Sequence, residues 1–139
     1  MLSSAVVQGV ILVTIVREAA RSVVAQLVEA YNAKDREAIA ALYQEDARYW
    51  SALGDWQYGL PEILSHIEEL HRKLPDEKMA VKILATDGAS IVVEFVSTGT
   101  APSGEPYELE FTEVIDLVDG KIATVKVYLD PAEVERIFS

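Results

Sequence analysis

The chain has no cysteine and only two histidines in 139 residues. The first absence excludes a disulfide framework, a thiol nucleophile and a cysteine metal site. It leaves the compartment open, with the cytoplasm as the default expectation. His66 and His71 are five positions apart, so one helix face does not present both to a metal, and no metal site is expected. Basic residues are also scarce: 12 lysines and arginines stand against 23 acids, a formal net charge of −11. That balance disfavours nucleic acid and anionic membrane surfaces as partners. No glycine-rich phosphate loop or nucleophile elbow occurs, and no cofactor is expected. Repeats, low-complexity tracts and linkers are missing too, which leaves one domain.

What is present is apolar: half of the residues are hydrophobic, enough for a sizeable core. Residues 5–16 run Ala-Val-Val-Gln-Gly-Val-Ile-Leu-Val-Thr-Ile-Val. No lysine or arginine precedes the run, as a secretory signal would want, and it is too short to span a bilayer. Residues 1–16 are therefore expected to be an N-terminal arm or helix extension, packed on the domain at 17–139 or on a partner subunit. Periodicity alone does not exclude targeting.

Apolar positions 16, 20, 23, 27 and 31 predict a first helix ending near Ala33. Asp35 reads as the cap of a short second helix, with Ala38, Ile39, Leu42 and Tyr43 inward and an end at Gln44-Glu45-Asp46. Residues 47–51 read as a short strand. The loop 52–59 carries Trp56 and Tyr58, which line a pocket mouth or form a satellite cluster. Pro61 opens a third helix that runs to Leu74. Strands follow at 78–86, 89–98, 107–118 and 121–129, and Asp130-Pro131 starts a C-terminal helix. Helices first and strands later is an α+β order. A long antiparallel meander buries its inner face by curling, so a cone-shaped sheet packed on three N-terminal helices is expected.

Two strand acids fall in phase with apolar neighbours. Glu94 alternates with Val92 and Val96, and Glu113 with Leu109, Phe111, Ile115 and Leu117. If both point inward, burial disfavours their charged forms and raises their pKa, the state suited to proton transfer near neutral pH. Tyr49 would then orient a substrate oxygen. The ordinary alternatives are a solvated strand face and, for Glu94, a surface salt bridge. His71 lies at the edge of the third helix's apolar face, and His66 is read as pointing further toward solvent.

The element order, with Val24-Ala-Gln-Leu-Val-Glu-Ala-Tyr-Asn-Ala-Lys-Asp35, Ala41-Leu-Tyr-Gln-Glu-Asp-Ala47 and Gly120-Lys-Ile-Ala-Thr-Val-Lys-Val-Tyr-Leu-Asp-Pro131, resembles the nuclear transport factor 2-like superfamily. Within it the chain is most similar to SnoaL-like proteins, ketosteroid isomerases and limonene epoxide hydrolases. The epoxide hydrolase triad falls on Val96, Glu94 and Val127, and two of these cannot ionise. That family's strand tyrosine and asparagine fall on Tyr49 and Ser51. The isomerase base also falls on Ser51, its oxyanion-hole tyrosine on Leu27 and its protonated acid on Glu113. The resemblance implies an interior face of Val92, Glu94, Val96, Leu109, Phe111, Glu113, Val127 and Leu129.

The expected function is binding, with transformation, of a small hydrophobic molecule by cofactor-free isomerase, dehydratase or cyclase chemistry. Glu113, Glu94 and Tyr49 are the candidate catalytic groups. Ser51, Trp56, Ile63, Ile67, Val92, Val96, Leu109, Phe111, Val127 and Leu129 form the candidate substrate wall. The alternative is a non-catalytic ligand-binding or dimerisation module. With Glu94 inward, Ile91, Val93 and Phe95 face out, and a homodimer through the outer sheet face is expected.

Overall fold

The computed structural model describes residues 3–139; Met1 and Leu2, the start of the expected arm, lie outside the described residues. Helix α1 (Ser4–Ala33) starts where the Ser3 side chain accepts the Val6 N–H. It stops where Lys34 turns left-handed, with φ of 54°. Asp35 caps α2 (Arg36–Ala40) by accepting the Ala38 N–H at 3.1 Å. Ala20, Val23, Val24, Leu27 and Ala30 are the buried stripe of α1, at the three- and four-residue spacing of one helix face. The expected arm is thus a continuation of α1. It does not pack on the domain: Val10, Leu12 and Ile15 are each more than half exposed.

Strand β1 (Tyr43–Ser51) is longer than the sequence suggests. Tyr43 and the three residues after it leave the helix because Tyr43 pairs with Ile122 and is buried. A five-residue helix has too little hydrogen bonding of its own to hold them. Next come β2 (Gln57–Tyr58), α3 (Leu60–Lys73), β3 (Lys78–Asp87), β4 (Ser90–Thr100), β5 (Pro106–Val118), β6 (Lys121–Tyr128) and α4 (Pro131–Phe138). One six-stranded sheet runs β2-β1-β6-β5-β4-β3. Only the β1–β6 pair is parallel. The β5–β6 turn has positive φ at both Asp119 and Gly120, the conformation that matches strand twist in a two-residue hairpin. Irregularities within β1, β3 and the β5–β6 pair help the sheet curve without closing.

Register decides which face is inside. Across the β4–β5 pair, Val93 stands opposite Glu113, Ile91 opposite Ile115 and Phe95 opposite Phe111. Residues directly opposite share a face. Glu94 stands opposite Thr112, so Glu94 and Glu113 lie on different faces. This corrects the expected phase of β4. Ile91, Val93 and Phe95 are completely buried beneath α1 and α3, while Val92, Glu94 and Val96 are on the outer face. The sequence left β4 ambiguous because both its faces are apolar. Around Phe95 the core gathers Val24, Leu27, Ile63, Ile67, Ile115, Ile122 and Val125. A second cluster of Leu74, Ala101, Tyr107 and Ile137 anchors α4 across one end of the sheet.

Candidate functional site

Between the inner sheet face and helices α1, α3 and α4 lies a cavity of about 240 Å³. It is smaller than the roughly 300–1,000 Å³ of drug-sized sites. Strand β5 alternates Leu109, Phe111 and Glu113 into it. Glu113 pairs with Val93 on one side and Val127 on the other, so its carboxyl is set among apolar groups. It is 8% exposed and has no hydrogen-bond or ion-pair partner among the described residues. Burial pushes its pKa up to about 8. At neutral pH Glu113 is therefore an acid that carries its proton.

Tyr43 and Tyr49, both from β1, line the same cavity. Burial, then the nearby Glu113, hold both phenols well above their ordinary pKa, so both stay neutral donors. His66 of α3 places its ring 5.2 Å from that of Tyr49. Its pKa is lowered by burial and by Lys73, which favours the neutral imidazole. The expected order of the two histidines is therefore reversed. His66 lines the cavity and His71 does not. His71 packs edge-on against Tyr31 at 4.5 Å, with a buried Nε2 that has no partner among the described residues.

A second acid was not singled out from the sequence. Glu77, 7% exposed, lies in the loop before β3 and lines the cavity. The Tyr31 hydroxyl donates to its Oε1 at 2.6 Å, and the Ser97 hydroxyl donates to its Oε2. Ser97 and Tyr107 share a further hydroxyl–hydroxyl bond of 2.9 Å. No periodic pattern marks a loop glutamate. The only available signal was its place between a helix stop and a strand.

Of the candidate residues, Glu113, Tyr49, Ser51, Ile67, Leu109, Phe111, Val127 and Leu129 line the cavity together. The others do not. Glu94 is on the outer face, 3.8 Å from Lys82, which also pairs with Glu110. Its solvated ion pair is the surface alternative, and Val92 and Val96 share that face. Trp56 stacks with Tyr58 at 6.4 Å beneath Arg48, outside the lining. Ile63 is fully buried behind the wall, in the core. Among the described residues, no three His, Asp or Glu side chains gather as a metal would require.

The fold has known counterparts. The family model described as a SnoaL-like domain matches residues 24–125. A search of curated proteins finds no match. A nuclear transport factor 2-like protein of unknown function from Burkholderia pseudomallei superposes with a TM-score of 0.80 at 23% identity, covering 87% of this chain and 98% of that chain. A SnoaL-like protein from Jannaschia, named for polyketide cyclase activity, gives 0.80 at 18% identity, covering 88% of this chain and 92% of that chain. A protein of ketosteroid isomerase-like fold from Catenulispora acidiphila, solved with trimethylamine, gives 0.74 at 17% identity, covering 83% of this chain and 90% of that chain. At such identities the likeness concerns the fold.

Proposed function

Because the chain belongs to the SnoaL-like domain family, we propose that its cavity binds a small, largely apolar molecule and transforms it by cofactor-free acid/base chemistry. One observation carries this reading: Glu113 is a buried acid that faces an open cavity without a partner. A protein rarely keeps such a group for stability, since a buried polar group without a partner costs free energy. A ligand carbonyl or hydroxyl supplies the missing partner. Glu113 donates a hydrogen bond to that oxygen, and Tyr49 orients it. Neutral His66 on the facing helix takes a proton from the carbon next to the carbonyl. As negative charge moves onto the oxygen, the Glu113 proton neutralises it. Isomerisation, dehydration and ring closure all share this step.

Replacing Glu113 with glutamine keeps the shape and removes the exchangeable proton. Turnover of the true substrate is expected to fall at least about 100-fold, the low end of general acid–base contributions. The fold should survive with stability changed by about 1–2 kcal/mol at neutral pH. Full turnover by Glu113→Gln would overturn the assignment.

A non-catalytic binding module is the second reading. It is favoured by the outward position of Glu94, which leaves Glu113 without the second strand acid. Recovery of a co-purified ligand, unchanged after long incubation, would favour it. In either reading we propose a homodimer through the outer sheet face. The earlier basis, Ile91, Val93 and Phe95, is core; the exposed apolar groups there are Ile83, Val92 and Tyr128. No described helix is long and apolar enough to cross a membrane.

A further inference from the structure

We propose that the cavity is built for a two-ended ligand, with an oxygen at Glu113 and Tyr49 and a cationic amine at Glu77 beside the Tyr31 ring. This deepens the reading of the cavity as the ligand site and rests on it. Ser97, which holds Glu77, and Val93, which faces Glu113, are four positions apart on β4. At about 3.3 Å per residue their backbones are about 13 Å apart, so the two acids are anchored at different places along the strand.

The two acids differ in chemistry. Glu113 has no donor and carries its own proton. Both oxygens of Glu77 accept hydroxyl protons, which is how a carboxylate is satisfied, and each keeps a lone pair for one more donor. Among the described residues no lysine or arginine lines the cavity; Lys73 lies outside the lining, over the Phe138 ring at 5.9 Å. The ion pairs among the described residues all join other side chains, so Glu77 is a buried acid without a cation. Buried carboxylates are ordinarily paired with one. An ammonium ligand supplies the missing charge. It gains an N–H···O bond to Glu77 beside the Tyr31 ring, whose hydroxyl already donates to that carboxylate. A carboxylate or phosphate at Glu77 meets like charge.

Three probes of one shape test this on the full chain at pH 7: 3-phenylpropylammonium, 3-phenylpropanol and 3-phenylpropionate, titrated by calorimetry. The ammonium is expected to bind at least about tenfold tighter than the alcohol, and the carboxylate not measurably. Glu77→Gln should erase the preference, so that ammonium and alcohol bind the variant equally. The wild-type comparison of ammonium with alcohol needs no variant, which covers the case in which Glu77→Gln does not fold. If alcohol and ammonium bind wild type equally, or if Glu77→Gln keeps the preference, Glu77 is a structural acid and the inference fails while the ligand site stands. If none of the three binds, the ligand-site reading fails with it.

Discussion

At the scale of single residues, the protonation of Glu113 follows from where β5 puts it. Its carboxyl is raised from an ordinary value of 4.5 to about 8 by burial alone. Between those two values the folded protein holds a proton that the unfolded chain has released. Stability contributed by this group is therefore fully present below about pH 4.5 and is lost as pH rises toward about 8. The slope approaches about 1.4 kcal/mol per pH unit, the value for one proton. A glutamine at this position has no proton to release, so its contribution does not change with pH. Glu113 was legible in the sequence because every neighbour in its phase, from Leu109 to Leu117, is apolar or aromatic. Glu77 and the histidine order were not. Glu77 owes its position to a loop, and His66 faces the cavity through the packing of α3 on β1 rather than through its own periodicity.

At the scale of elements, β4 shows what a pattern with two apolar faces conceals. Both phases of Ile91-Val-Val-Glu-Phe-Val96 fit a buried strand, and only pairing with β5 selects one. The resemblance placed the wrong set inward. Two substitutions separate the phases. Phe95→Ala, in the core, should cost about 3–5 kcal/mol. Val92→Ala, on the outer face, should cost within about 0.5 kcal/mol in the monomer. Urea denaturation measures both, and similar costs for the two would contradict the register. The helices were easier to read: Asp35 and Asp130 cap where their sequences suggest, and Pro61 sits in the first turn of α3. The first half of α1 is the element whose sequence and surroundings agree least, apolar in composition yet exposed along its length.

For the whole molecule, α+β order was enough to give the architecture, because helices followed by a long meander have few ways to bury both faces. The outer sheet face carries exposed apolar groups beside the ion pairs of Lys82 with Glu94 and Glu110, with Ile83 60% and Val92 45% exposed. Two such faces meeting would remove them from water. Light scattering at micromolar concentration should give twice the chain mass, and Val92→Glu should halve it. A single monomeric mass for the wild type would count against the homodimer.

Glu113 holds a proton in the folded state, and global stability reads that proton directly. Denaturant unfolding of wild type and Glu113→Gln at pH 5, 6, 7 and 8 should show the wild type losing ground to the variant at every step, by several kcal/mol in total. Parallel curves across that range would mean that carboxyl 113 ionises like any solvated glutamate, and the acid proposed for catalysis would not exist.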